Sequence, residues 1–291
     1  NLFVLRYEVV PHGDRIDNLK WGLDVTNMYT YWMRKMTFIA NSGGVPNEME
    51  QLNAGYREER YAEDPNFTRF SSWNGGNPVG QFEYLSGTPE LSKNFDDYDY
   101  TLENTMDAAD QRHDVTTRVV ISGTYTPNGF GSVATRNGGG ISFYYFKGNA
   151  IRVEAMRDMV NDRGQIPQEL RDAGLEQAIE NVLAWNPNAF NSPTASFSEG
   201  GIHFYYQGVC YYTVLIRHFS NNMVPVLMGY GRYGVVRNNV YQLSINKIIG
   251  PGQPVINPPG TDPDDEDTSW ISADVNIMRW YIRNQNVEEL L

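Results

Sequence analysis

The sequence predicts an all-β protein with two β-sandwich domains, the second of which carries a helical insertion. Apolar and polar residues alternate with a period of two along several short segments, as they do in strands with one buried face. Gly, Asn and Pro cluster between these segments, where they favour turns. Convincing helical periodicity is confined to residues 150–184, so helices are expected only as an insertion.

The first predicted domain covers residues 1–113 and consists of short strands and polar loops. Residues 21–26 alternate as a half-buried strand, and residues 73–78 form a turn-rich loop. Polar residues then dominate up to residues 111–114, and a strand-rich run follows at 116–125. The domain boundary is therefore expected at 111–114.

The second predicted domain covers residues 114–291. Apolar residues recur at helical spacing over 168–184, which predicts a helix of about four turns. A shorter helix is predicted at 150–160, and the two helices together predict a helical flap at residues 150–184. Residues 240–247 then alternate as a strand. The side chains expected on one face of that strand are Tyr241, Leu243, Ile245 and Lys247.

The C-terminal part combines an acidic, proline-rich spacer with an apolar strand. Residues 250–269 are rich in Pro and Asp. Because proline fixes φ and the aspartates repel one another, this composition predicts an extended spacer that stays away from the body. Residues 270–283 alternate again, and their apolar phase slips between Ile277 and Met278, which a β-bulge or a change of sheet would explain. A strand this apolar at the end of a spacer predicts a pairing partner.

Composition limits the classes of partner. The 291 residues suffice for about two domains, and the 41% of apolar residues predict a globular chain. A formal net charge of −12 opposes binding to phosphate backbones, so no nucleic-acid partner is expected.

No motif supports a catalytic or metal centre. His203 and His218 flank a hairpin predicted around residues 207–208, but packed histidines explain them better than metal ligands. Cys210 lies among aromatic residues in that hairpin, which predicts an inert, buried thiol. The acidic run at 262–267 lacks the Gly and the distal Glu of a calcium loop. We therefore expect no enzyme, no catalytic or cofactor-binding residue, no cofactor and no metal.

Seven segments carry a family resemblance in their order and spacing: residues 21–27, 100–106, 116–121, 208–212, 233–241, 248–252 and 275–280. The more specific ones lie towards the C-terminus, together with the spacer and the terminal strand. These segments resemble landmarks of the Bacteroidales fimbrillin superfamily, the type V pilins, and are closest to its minor-fimbrillin branch. The stretch before Trp21 is short for this family, which leaves open that the first domain is truncated at its start.

The resemblance implies transthyretin-like β-sandwich domains, no enzymatic activity, and export as a lipoprotein precursor to a fimbrium attached to the outer membrane. It also implies that a protease removes an N-terminal strand. The groove left behind would take a strand from the next subunit, which is a form of β-augmentation. The implied partners are neighbouring pilin subunits, in a homo- or hetero-polymer, and a host or bacterial surface receptor.

Two hypotheses for the function follow. The leading one is a structural pilus subunit of a Gram-negative anaerobe that polymerises by donor-strand exchange and supports adhesion. Its donor side chains would be Ile271, Val275, Ile277, Trp280 and Ile282. The alternative is a surface glycan-binding or adhesive tip module, since aromatic faces also stack on sugar rings. Such a module would not polymerise, and its terminal strand would fold back onto its own chain. Its aromatic candidates are Tyr98, Tyr100, Trp73 and Trp32.

Overall fold

The structure is a computed structural model of the 291-residue chain. It describes residues 2–7, 13–28, 82–106, 108–131, 139–218, 228–229, 231–266 and 271–279. The strands at 2–7 and 271–279 are described by their backbone pairing. Trp32 and the loop predicted at 73–78 lie outside the described residues.

Strands outnumber helices among the described residues, which confirms the all-β fold class. The strands are β1 (Leu2–Tyr7), β2 (Arg15–Asp24), β3 (Thr26–Asn27), β4 (Phe82–Glu83), β5 (Tyr98–Tyr100), β6 (Arg118–Thr126), β7 (Phe143–Phe146), β8 (Asn149–Arg152), β9 (Phe197–Glu199), β10 (Ile202–Tyr205), β11 (Val209–Leu215), β12 (Asn239–Ile248) and β13 (Ile271–Arg279). The helices are α1 (Val153–Asn161), α2 (Gln168–Asp172) and α3 (Leu175–Trp185). No helix in the described part of the chain is long and apolar enough to span a bilayer.

The described strands form two four-stranded sheets, one three-stranded sheet and a short pair. Their orders are β13-β12-β1-β5, β8-β7-β10-β9, β11-β6-β2 and β3-β4. Strands from both sides of the predicted boundary at 111–114 share two of these sheets, because β1 and β5 join β12 and β2 joins β6. Residues 29–81 are not described, so the division into two domains stays a prediction.

The main core lies between the three-stranded sheet and the sheet of β12. Trp21 of β2, Ile121 of β6 and Tyr212 of β11 are buried in one cluster with residues of β12. These strands contribute alternate residues, as a period of two requires, so two layers pack face to face as in a β-sandwich.

β12 follows the predicted alternation for most of its length. Tyr241, Leu243 and Ile245 are all buried in the main core, as the sequence predicts. Lys247 is exposed, which corrects the prediction that it shares their face. The register against β13 shifts between Ile245 and Lys247, and after the shift Ile248 occupies the buried face.

The helices cover the β8-β7-β10-β9 sheet, where a second cluster buries Met156, Ile179 and Phe204. The helix predicted at 150–160 starts later, at Val153, because residues 149–152 pair as β8. The helix predicted at 168–184 is divided into α2 and α3 by Gly174, whose φ of 89° interrupts helical geometry.

A buried ion pair ties the N-terminal strands to β6. Arg118 Nη2 lies 2.7 Å from Asp24 Oδ2, and the two residues are 8% and 1% exposed. The second oxygen, Asp24 Oδ1, accepts hydrogen bonds from the amides of Val25 at 2.8 Å and Leu85 at 2.7 Å. One carboxylate therefore joins β2, β6 and the segment after β4.

Replacing Asp24 with alanine should lower the free energy of unfolding by roughly 3–5 kcal/mol, because Arg118 would stay buried without its counter-charge. The matched control is Asp17→Ala, since Asp17 pairs with Arg15 through side chains that are 52% and 62% exposed. That change should cost less than about 1 kcal/mol. Urea denaturation measures both, and equal losses would contradict the role given to Asp24.

Candidate functional site

Both terminal strands of the described chain pair with β12. β1 runs parallel to it along one edge, from Leu2 opposite Val240 to Tyr7 opposite Ile245. β13 runs antiparallel along the other edge. β12 therefore depends on the two most terminal described segments for the pairing of its backbone groups.

β1 lies between β12 and β5 and pairs through both of its edges; this position in the sheet is called the β1 lane. β1 pairs antiparallel with β5, where Leu2 lies opposite Tyr100 and Val4 opposite Tyr98. Its other edge carries the parallel ladder to β12. Loss of β1 would leave unpaired amides and carbonyls on two facing strands, which is unfavourable unless another strand replaces it.

β5 presents an exposed aromatic pair beside this lane. Tyr98 and Tyr100 are 55% and 61% exposed, and their rings meet edge to face with centroids 5.9 Å apart. Both belong to the aromatic candidates of the ligand-binding alternative, whereas Trp32 and Trp73 lie outside the described residues. Such a pair offers stacking faces to a ligand.

β13 contains Ile271, Val275 and Ile277, which were predicted as donor residues. They lie in register with residues of β12 of the same chain. The expectation that this strand is held away from the body is therefore wrong for the described residues. Trp280 and Ile282 lie outside them.

The phase slip in the sequence of this strand does not correspond to a break in its pairing. Ile277 and Met278 face Tyr241 and Val240 in unbroken register. The register shift lies near the other end of the ladder and on the opposite strand, between Ile245 and Lys247. A bulge at Ile277 was thus the wrong explanation.

The described part of the spacer, residues 250–266, is attached to the body rather than extended into solvent. Gln253 and Tyr211 exchange two backbone hydrogen bonds, each 2.8 Å long. Ile256 and Gly87 do the same at 2.6 and 2.7 Å, and Ile256 is only 3% exposed. The extended conformation that proline favours leaves amides and carbonyls free to pair, which explains the attachment.

Two buried tyrosines fix the start of the spacer. The hydroxyl of Tyr212 donates to the carbonyl of Gly250, and that of Tyr205 donates to the carbonyl of Gly252, both at 2.7 Å. Burial raises the pKa of both hydroxyls, so they remain protonated donors at ordinary pH.

Asp265 anchors the acidic end of the spacer through a compact set of donors. Arg232 lies 2.8 Å away, and the Tyr233 hydroxyl and the Met228 amide each donate at 2.6 Å. Burial alone would raise the pKa of Asp265, but these hydrogen bonds and the charge of Arg232 hold it below its usual value. Asp265 is therefore bound as a carboxylate.

Asp264 points into the body and is 2% exposed. Its Oδ2 accepts a hydrogen bond from the Thr116 hydroxyl at 2.5 Å, while Oδ1 has no hydrogen-bond partner among the described residues. Burial first, and the charges of Asp265 and Asp114 next, raise the pKa of this carboxyl to about 7. Two adjacent aspartates thus have opposite protonation preferences.

Sequence reasoning missed both anchors. The composition of residues 262–267 predicts an extended, charged spacer, and no periodicity within it marks Asp264 as buried. The two carboxylates differ through contacts with residues distant in the chain, such as Arg232 for Asp265 and Thr116 for Asp264.

The hairpin predicted around residues 207–208 is not formed. β10 pairs with β7 and β9, while β11 pairs with β6 in a different sheet. His203 lies on β10, where burial lowers its pKa, whereas His218 follows β11 and contacts the Tyr241 hydroxyl at 2.8 Å. In the described ranges, no three His, Cys, Asp or Glu side chains form a group that could hold a metal.

The predicted inert character of Cys210 is confirmed. It is fully buried in β11, and burial raises the pKa of its thiol to about 12. A thiol in this state is not a nucleophile at neutral pH.

Comparison with known protein families gave a match to part of the chain. Residues 203–286 match the family described as major fimbrial subunit protein type IV, fimbrillin, C-terminal. The matched stretch includes β12, the spacer and β13. The match supports the predicted resemblance to fimbrillins over this stretch, which is less than half of the chain, and the minor-fimbrillin branch stays a prediction. No curated protein matched the chain.

A crystal structure of a fimbrilin (fimA) from Porphyromonas gingivalis W83 aligns with 98% of this chain at 13% sequence identity. The chain spans 58% of the length of that relative, and the TM-score is 0.39. Because this score is low, the relationship rests on the family match and not on the structural alignment.

Replacing Gly252 with alanine should loosen the spacer from β11. Gly252 has a φ of +62°, and an added Cβ would clash with the carbonyl oxygen of Tyr211. The free energy of unfolding should fall by about 2 kcal/mol, and the Gln253 amide should exchange faster. The control is Gly260→Ala, whose Cβ would meet only the carboxylate of Asp262. Equal behaviour of the two variants would mean that the attachment at Gly252 is unimportant.

Proposed function

We propose that this chain, whose residues 203–286 carry the C-terminal sequence of the fimbrillin family, is a structural subunit of a surface fimbrium. The observation that carries the proposal is the position of β1. The most N-terminal described strand lies inside a sheet, parallel to β12, and its neighbours on both sides come from distant parts of the chain. A strand held in this way is replaceable by one from another subunit.

In the proposed assembly, subunits polymerise by donor-strand exchange at the β1 lane. Once β1 is removed, a strand of the next subunit pairs with β12 and β5 in its place. Main-chain hydrogen bonds would supply affinity, and alternate side chains would supply specificity. The terminal strand is the proposed donor, and its contributing side chains are Ile271, Val275, Ile277, Trp280 and Ile282.

The pairing of the described strands shows what the exchange would gain and lose. Among the described strands, β13 in its own chain pairs through one edge only, with β12. A strand in the β1 lane pairs through two edges. A donor that takes over the pairing of β1 exchanges its nine paired residues on its own β12 for six on β12 and three on β5 of the next subunit. The vacated edge of its own β12 must then be paired by another strand. The pairing of β13 with its own chain fits a subunit before exchange.

The proposed setting is the cell surface, in a fimbrium attached to the outer membrane after export as a lipoprotein precursor. Neighbouring pilin subunits are the proposed partners, and a host or bacterial surface receptor is the proposed target of adhesion. No enzymatic role is proposed. A net charge of −12 disfavours nucleic acid as a partner.

A second candidate function is an adhesive tip module that binds a glycan. The exposed edge-to-face pair of Tyr98 and Tyr100 favours it, and so does a terminal strand that folds back onto β12. This module would not polymerise, so loss of β1 would leave it monomeric. That difference separates the two candidates.

Cleavage between β1 and β2, at a protease site introduced into residues 8–12, should start polymerisation. The cut peptide dissociates slowly, and the vacated lane then accepts a strand from another molecule. Size-exclusion chromatography should show a ladder of species, and an excess of a synthetic peptide of residues 1–8 should suppress it. The uncut protein under the same conditions is the control. Cut protein that has lost its peptide and stays monomeric would favour the tip module.

Substitutions along the terminal strand should follow a period of two. Val275→Asp and Ile277→Asp each place a carboxylate on the face that the donor strand is proposed to bury, so polymer yield should fall about tenfold or more. Asn276→Asp, on the opposite face, should change the yield less than about twofold. Equal defects at Asn276 and Ile277 would rule out donation by this face.

A further inference from the structure

We propose that residues 262–266 form a proton-controlled latch, which holds β13 on its own chain in acid and releases it as the pH approaches neutrality. The latch ends at Glu266 and β13 begins at Ile271, so release of the latch removes one of the attachments that hold this part of the chain to the body, while the ladder with β12 remains. The consequence for assembly rests on the proposed donor-strand function, whereas the latch itself rests on the contacts of Asp264.

The latch pairs with the segment that precedes β6. The carbonyl of Asp262 accepts from the amide of His113 at 3.1 Å, and the amide of Asp264 donates to the carbonyl of Gln111 at 3.2 Å. These bonds direct the Asp264 side chain towards Thr116. The docked position of the latch therefore requires a carboxyl group in the protein interior.

The charged groups around Asp264 do not favour its ionised form. Asp265 follows it on the latch, and Asp114 lies on the segment before β6, so two negative charges face it. Arg118 also faces it, but that guanidinium is 2.7 Å from Asp24. Two nearby cations pair with the neighbouring carboxylates: Arg112 pairs with Asp114 at 3.0 Å, and Arg232 pairs with Asp265 at 2.8 Å.

Burial outweighs the one hydrogen bond that favours the ionised form of Asp264. Burial raises the pKa of this carboxyl, whereas the hydrogen bond that the Thr116 hydroxyl donates to Oδ2 at 2.5 Å lowers it, and the pKa remains raised. Oδ1, which lacks a partner among the described residues, is also tolerated better in a neutral carboxyl than in a carboxylate.

The sign of the pH effect follows from linkage. Burial raises the pKa of docked Asp264 to about 7, whereas a released aspartate titrates near 3.8. The stabilisation of docking is fully present below about pH 4 and is lost as the pH rises to about 7. Over this range the equilibrium constant for docking falls by at most about tenfold per pH unit. Burial also raises the pKa of Asp114, in the same direction, and Tyr233 has a pKa near 12 and stays neutral. The depressed pKa of Asp265 gives a contribution that is lost only in stronger acid.

Amide hydrogen exchange of the full chain, corrected for the intrinsic pH dependence of exchange, tests the latch. The protection of residues 262–266 should fall by about tenfold or more between pH 5.5 and 7.5 in the unmodified protein. Asp264→Asn keeps a neutral donor at this site and should remove most of the pH dependence. Asp262→Asn is the matched control, because Asp262 is exposed, and it should behave like the unmodified protein.

Protection that does not change with pH in the unmodified protein would overturn the latch, as would an unchanged pH dependence in Asp264→Asn. If Asp264→Asn does not fold, the profiles of the unmodified protein and of Asp262→Asn still decide the matter. Polymer yield after β1 cleavage, measured at the same pH values, tests the function separately. If the protection of residues 262–266 falls but no polymer forms, the result supports the latch and contradicts the pilus function. If polymer forms while this protection stays constant, the result supports the pilus function and contradicts the latch.

Discussion

The pairing of β12 along both of its edges is the constraint on which the rest of the structure depends. Tyr241, Leu243 and Ile245 fix β12 in the main core, so the strand cannot move to find partners. Its two edges are instead completed by β1 and β13, from the two ends of the described chain. Because buried backbone groups must be paired, any change at either end has to be compensated by another strand.

Attachment of the spacer governs how readily β13 can take part in such a change. The spacer is fixed by the backbone pairing of Gln253 and Ile256 and by the two aspartates at its acidic end. Of these contacts, only the one at Asp264 is expected to respond to pH near neutrality. Stable attachment and controlled release can thus reside in one short segment.

The sequence predicted what depends on local periodicity. Alternation in β12 identified Tyr241, Leu243 and Ile245 as one buried face, and aromatic neighbours indicated the burial of Cys210. Partners distant in the chain were not predictable in this way, because the parallel pairing of β1 with β12 leaves no local pattern. The burial of Asp264 was missed for a related reason, since composition alone describes an acidic run as solvated.

The most direct test of the account is whether β13 must leave its own β12 when subunits join. Ser244 and Asp274 lie opposite each other across β12 and β13, so cysteines at both positions are placed to form a disulfide that holds the strand in place. The native Cys210 is buried and does not compete. After removal of β1, the oxidised double variant should stay monomeric and should polymerise once it is reduced. Equal polymer yields from oxidised and reduced protein would contradict the account.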